Sequence, residues 1–207
     1  MTAMAEKLAH IIDDDAEIRE SLAFMLSAEG IECTCHDGAD SFLDALPHLR
    51  PGCILLDLRM PGTLGLQLQK HLHAAGCRMP VIIITGHADI DSAVTAMKEG
   101  AVDFIQKPFS RQDLLVALDA AWTELNHPAP SQDERLRAES MIAQLTPREH
   151  DVLDGLVKGH PNKVIAFNLD ISPRTVELYR ANAMRKLNAR SLSEMLHVAF
   201  LAGMNGR

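Results

Sequence analysis

The chain has 207 residues, 47% of them hydrophobic and 23% charged. That is enough apolar material for ordinary packed cores and excludes a disordered, collagen-like or low-complexity chain. No apolar run reaches the roughly 18 residues that span a bilayer, and the opening MTAMAEKLAH lacks a signal-peptide core; the expectation is a cytoplasmic protein with no membrane partner. The formal charge of −8 argues against nucleic acid only while it is averaged over the chain. Residues 1–127 hold 9 Lys/Arg against 19 Asp/Glu, a net of −10, and residues 141–207 hold 9 against 6, a net of +3. Such a division suggests two domains with different partners.

In the acidic part, short apolar runs alternate with amphipathic stretches. LAHII (8–12) precedes a helix around 16–28, and IECTCH (31–36) one around 39–46. CILLD (53–57) is followed by a helix around 65–75, VIIIT (81–85) by one around 90–98, and VDFIQ (102–106) by one around 111–125. Five strands alternating with five helices predict a doubly wound α/β domain with a five-stranded parallel sheet and right-handed crossovers. The cysteines, Cys33, Cys35, Cys53 and Cys77, have no zinc spacing and are expected to be small buried thiols in a reducing compartment.

Sites of such sheets lie at the carboxyl ends of the strands. There the chain places Asp13, Asp14 and Asp15 after the first strand, Asp57 at the end of the third, Thr85 at the end of the fourth and Lys107-Pro108 after the fifth. Each has an ordinary alternative, since Asp after a strand is often a turn former or helix cap and Lys is usually a solvated charge. Together, carboxylates converging at one edge repel one another and call for a hard divalent cation, Mg2+ or Mn2+. A hydroxyl and an ammonium opposite suit a tetrahedral anion, so the set points to phosphoryl transfer onto an Asp.

The segments IIDDD, LLDLRMPG, IIITG and FIQKPF carry a resemblance, over residues 7–125, to the receiver domains of two-component response regulators. The resemblance implies that Asp57 is the phosphoacceptor, that Asp14 is the direct and Asp13 the partly water-mediated metal ligand, and that the Arg59 backbone carbonyl completes the metal site. It further implies that Thr85 and Phe104 are the switch pair, that Lys107 pairs with a phosphoryl oxygen, and that Lys107–Pro108 is cis. Asp15 is extra to the metal pair and reads as a helix cap. Arg59, Thr63-Leu64 and Gly86 depart from common family residues, which bears on phosphoryl lifetime rather than on chemistry.

After the first domain (1–125), Pro128 and Pro130 break the helix, and Ser131-x-x-Glu134 reads as a capping box opening a polar helix at about 132–144 within a linker (126–144). The remainder (145–207) predicts four short helices. Thr146-Pro147-Arg148-Glu149 opens the first, which ends at Gly159. Pro161 opens the second, to about Asn168, with Asp170 in a tight turn. Ser172-Pro173 caps the third, to about Leu187, and Ser191-x-x-Glu194 opens the last, with Gly203 near its stop. A short helix, a turn and a longer helix form a helix-turn-helix. In the third helix Val176, Ala183 and Leu187 make an inward stripe, and Arg174, Glu177, Leu178, Ala181 and Arg185 an outward one, with Thr175 beside it. Lys163, Arg180, Lys186 and Arg190 are placed to meet phosphates, and Glu177 to accept from a cytosine amino group or to exclude other sequences.

Residues 141–204, LTPREHDVLDGLVKGHPNKVIAFNLDISPRTVELYRANAMRKLNARSLSEML among them, resemble the LuxR/NarL-type helix-turn-helix, and both halves together resemble FixJ-like regulators. The resemblance implies a transcriptional response regulator. It receives a phosphoryl group from a histidine kinase, dimerises through its fourth and fifth helices and fifth strand, binds promoter DNA at paired half-sites, engages RNA polymerase, and is no enzyme toward an external substrate. The competing readings are a phosphorylation-independent DNA-binding scaffold, an Asp-nucleophile phosphatase, disfavoured by Arg59 at the place of a second Asp, and a small-molecule sensor.

Overall fold

A computed structural model describes residues 7–58, 60, 65–86, 90–126 and 132–204. The elements follow the sequence pattern closely: β1 (Leu8–Ile12), α1 (Ala16–Ser27), β2 (Glu32–His36), α2 (Ala39–Ala45), β3 (Cys53–Asp57), α3 (Gly65–Ala74), β4 (Val81–Thr85), α4 (Ile90–Lys98), β5 (Ala101–Gln106) and α5 (Arg111–Asn126). A 3-10 turn at Leu46–His48, with Pro47 in it, was not expected. Then come α6 (Gln132–Ile142), α7 (Pro147–Val157), α8 (Asn162–Leu169), α9 (Pro173–Lys186) and α10 (Leu192–Leu201). The chain divides into two compact units, the strands with α1, α2, α3 and α5 in one and α4 with α6 to α10 in the other.

The sheet is wholly parallel, in the order β2-β1-β3-β4-β5. The central strands β1, β3 and β4 are buried at every position, which is what their continuous apolar runs require when both faces are covered. On one face Ala9, Ile11, Cys53, Leu55, Ile82, Ile84 and Ile105 pack with Leu22 and Leu26 of α1 and with Leu114, Ala117, Leu118 and Ala121 of α5. The α5 spacing of three, four and seven keeps these side chains on one helical face. The opposite face carries His10, a polar residue with 0% exposure. Its Nε2 lies 3.0 Å from the Arg50 carbonyl oxygen and its Nδ1 2.6 Å from Thr34 Oγ1. A carbonyl only accepts, so Nε2 carries the proton of the neutral ring and Nδ1 accepts from the threonine. His36 and Phe42 pack their rings around His10.

The reversal of strand order at β1 and β3 opens the crevice of a doubly wound sheet at their carboxyl ends. Asp15 is the N-cap of α1, its carboxylate accepting from the amides of Glu17 and Ile18, so the cap expectation holds. The buried-thiol expectation is corrected. Cys53 alone is buried, Cys33 and Cys77 are half-buried and Cys35 is exposed; Cys33 and Cys35 lie on β2, an edge strand.

In the second unit, Thr146 and Glu149 form the expected reciprocal capping box and Pro147 occupies the first turn of α7. The helix ends at Val157, and Gly159 follows at φ +82°, a conformation glycine adopts without cost. Pro161 is the N-cap of α8 rather than its first residue, and Asp170 closes that helix in the left-handed region. Ser172 caps α9 and Ser191 caps α10. The Ser131 capping box and both linker prolines lie outside the described residues.

Candidate functional site: an acidic crevice and a recognition helix

Asp13 leaves β1 buried and held on all sides. Its amide donates to the His36 carbonyl at 3.3 Å, and its own carbonyl accepts from Arg19 Nη1 at 2.7 Å. Oδ1 accepts from the Asp15 amide at 2.9 Å, leaving Oδ2 to accept from Lys107 Nζ at 2.8 Å. Asp57 ends β3 with 7% exposure, and its Oδ1 is 3.3 Å from the same ammonium. Asp14 is exposed at the rim, and the nearest carboxylate oxygens of Asp13, Asp14 and Asp57 all lie within 4.8 Å of one another.

At that separation, and at an effective dielectric of about 20, each like-charge pair costs roughly 3 to 4 kcal/mol. The Lys107 ammonium pairs with two of these three carboxylates, Asp13 and Asp57. Burial works against the Lys107 charge, but the hydrogen bond to Asp13 and the Asp57 and Asp13 charges outweigh it, holding the group above the usual lysine value. The excess negative charge and the all-oxygen donor set fit a hard divalent cation. Among the described residues this is the one group of three such ligands.

Thr85 ends β4 with 0% exposure, and its backbone oxygen accepts from the Lys107 amide at 2.8 Å, which ties the lysine's backbone to the strand end. Phe104 is half-buried on β5, in register with Ile83. The Lys107–Pro108 bond is cis. Arg59, whose carbonyl was expected in the metal site, lies outside the described residues, as do Thr63 and Leu64.

Sequence reasoning missed Gly65. A Cβ at this first residue of α3 would stand 2.3 Å from the Asp57 carbonyl oxygen and 2.8 Å from Leu58 Cα. Its only outward sign was a glycine where a helix begins, eight residues past Asp57.

On α9 the inward stripe is buried as expected, Val176 at 0% and Ala183 and Leu187 at 1%. Arg174, Glu177, Leu178, Ala181 and Arg185 are exposed, and Lys163 is exposed on α8. Arg185 is hydrogen-bonded to Asn182 Oδ1. Thr175 is half-buried and engaged at the cap, its hydroxyl 2.7 Å from Ser172 Oγ. Arg180 is half-buried, with burial lowering its pKa against the opposing pull of Glu177. Lys186, expected as a phosphate contact, is exposed and also reaches back to the domain. Its ammonium lies 2.7 Å from Glu149 Oε2 and 3.2 Å from the Gln144 carbonyl, so it closes the capping box of α7. Glu149 is 5% exposed. Coverage raises its pKa, but the bonds from Lys186 and Thr146 prevail and hold it below the usual value.

Fold, acidic crevice and capped recognition helix define a receiver domain joined to a helix-turn-helix domain, and the matches agree. Residues 9–119 match the response regulator receiver domain, and residues 143–199 match the luxR family of bacterial regulatory proteins. The transcriptional regulatory protein FixJ of Azorhizobium caulinodans is 48% identical over 97% of this chain and 96% of its own. FixJ of Bradyrhizobium diazoefficiens is 46% identical over 94% and 95%. The crystal structure of full-length FixJ from B. japonicum superposes with a TM-score of 0.58 at 45% identity, covering 97% of this chain and 99% of that one. The response regulator StyR gives 0.56 at 37% identity over 95% and 99%. The chain therefore belongs to the FixJ-type response regulators of two-component systems, which join a receiver to a LuxR-type DNA-binding domain and regulate transcription.

Proposed function

We propose that Asp57 is the phosphoacceptor and that its modification promotes dimerisation and operator binding. The observation that carries this is the meeting of Asp13, Asp14, Asp57 and Lys107 in one crevice, from residues far apart in the chain. An Asp57 carboxylate oxygen attacks phosphorus in line as the nitrogen–phosphorus bond of a kinase phosphohistidine breaks. The electron pair leaves with the imidazole, which takes up a proton. Lys107, freed from Asp57 by the new bond, pairs with a phosphoryl oxygen, and buried Thr85 donates its hydroxyl to another. Asp13, Asp14 and Asp57 would hold Mg2+ or Mn2+, which would supply neutralisation of the charge in this crevice. Thr85 and Phe104 then shift together.

In this reading the receiver is 1–125, the linker 126–144 and the DNA-binding domain 145–207. The protein works in the cytoplasm, acts on no external substrate, and engages a histidine kinase, promoter DNA and RNA polymerase. Lys163, Arg174, Arg180, Arg185 and Lys186 supply its contacts to DNA phosphates and base edges, Lys186 alongside its bond to Glu149.

Labelling with a small acyl phosphate donor tests the acceptor. Wild type takes up one alkali-labile phosphoryl group and gains operator affinity, and Asp57→Ala does neither. Undiminished labelling of Asp57→Ala would overturn the assignment. Equal operator occupancy by the two proteins in genome-wide footprinting would leave the phosphorylation-independent scaffold in its place.

A further inference from the structure

The exposed face of α9 combines chemistries that a phosphate-binding surface has no use for. At 100° per residue, the buried Val176, Ala183 and Leu187 fix the rotation of the helix. Leu178 then points about 200° from Val176, almost straight away from the domain core, between Arg174 and Arg185 on the same face. It is 59% exposed, a large apolar side chain left in water at the centre of the surface offered to DNA. One turn on, Ala181 is exposed and small, so close approach around Leu178 is unobstructed. Glu177 stands on the flank of this face, an exposed carboxylate that phosphates repel.

The major groove holds one apolar group, the thymine 5-methyl, and few donors to a carboxylate, chiefly the cytosine 4-amino group. Guanine presents acceptors at O6 and N7, which repel a carboxylate. Resting on the reading that α9 enters the major groove, we infer that Leu178 reads a thymine methyl and that Glu177 selects a cytosine within about two base pairs of it in each half-site.

The test starts from a randomised duplex pool selected with the full-length chain in the presence of an acyl phosphate donor and Mg2+. The selected half-site contains the thymine and the cytosine. Replacing that thymine by uracil, which removes only the methyl, weakens wild-type binding about fourfold per half-site, the worth of one buried methyl. Leu178→Ala loses a similar factor on the thymine duplex and binds the two duplexes equally. Glu177→Gln shifts the selected cytosine toward adenine, whose amino group and N7 suit an amide. A selected site at which wild type ignores every thymine-to-uracil exchange, or full discrimination retained by Leu178→Ala, overturns the inference and leaves DNA binding intact. A pool from which nothing is enriched overturns it together with the DNA-binding reading.

Discussion

Gly65→Ala is the most direct probe of how Asp57, the proposed acceptor, is held. The added Cβ would lie 2.3 Å from the Asp57 carbonyl oxygen, 2.8 Å from Leu58 Cα and 3.2 Å from the Asp57 carbonyl carbon. All three obstacles are backbone, so no rotamer change relieves them, and β3 or the start of α3 must retreat by about 1 Å to restore ordinary contact. Overpacking of this kind costs about 1–3 kcal/mol, against a gain of up to about 1 kcal/mol from replacing a helical glycine. The net loss of about 1–2 kcal/mol lowers Tm by roughly 4–8 °C. Asp57 Oδ1 sits 3.3 Å from Lys107, and a displacement near 1 Å at a reacting group costs about a hundredfold in rate. Urea unfolding followed through Trp122, the one tryptophan of the chain, reads the stability, and labelling by an acyl phosphate reads the rate. Gly86→Ala is the control for stability, since a Cβ there meets nothing within 4 Å. If Gly65→Ala matched wild type in both stability and labelling, the steric account would be wrong.

Other consequences are measurable on the same full-length chain. Glu149→Ala removes an arm of the α7 capping box and the partner of Lys186, destabilising the helical unit by about 2–4 kcal/mol. Circular dichroism records the loss, and a double-mutant cycle with Lys186→Met should give a coupling of about 1 kcal/mol or more, where zero would dismiss the ion pair. Burial lowers the pKa of His10, partly offset by the Arg50 carbonyl, and likewise lowers that of His36. The folded chain thus binds these protons less readily than the unfolded chain, so receiver stability is full above about pH 6.5 and falls as pH drops through the lowered values. A flat urea midpoint between pH 8 and 5 would contradict this. Thr34→Val, which strips His10 Nδ1 of its donor, should cost about 1–2 kcal/mol at neutral pH, read by the same Trp122 transition. With maleimide, Cys35 should react before Cys33, whose thiol burial pushes up to about 11, and Cys53 only on unfolding.

The strands, the recognition helix and the crevice carboxylates were readable because each follows from local pattern. A period of two or of 3.6, a cap residue or an Asp at a strand end needs only near neighbours in sequence. What escaped the sequence depends on partners far along the chain. Lys186 looked like any basic residue on a DNA-facing helix, and only the fold brings it to Glu149, 37 positions away. His10 sat in an apolar run as a misfit until Thr34 and the Arg50 carbonyl satisfied both its nitrogens. Cys35 was misjudged because edge or interior rank in a sheet depends on strand order, which local pattern does not encode.

The bonds of Lys107 span 94 residues to Asp13 and 50 to Asp57. The aspartates emerge early from a ribosome, on β1 and β3, and the cation that organises them comes only after β5. A nascent or partly unfolded receiver therefore holds carboxylates without the ammonium that positions them. The bonded crevice is therefore completed only once β5 has joined the sheet, the last strand in the chain to do so.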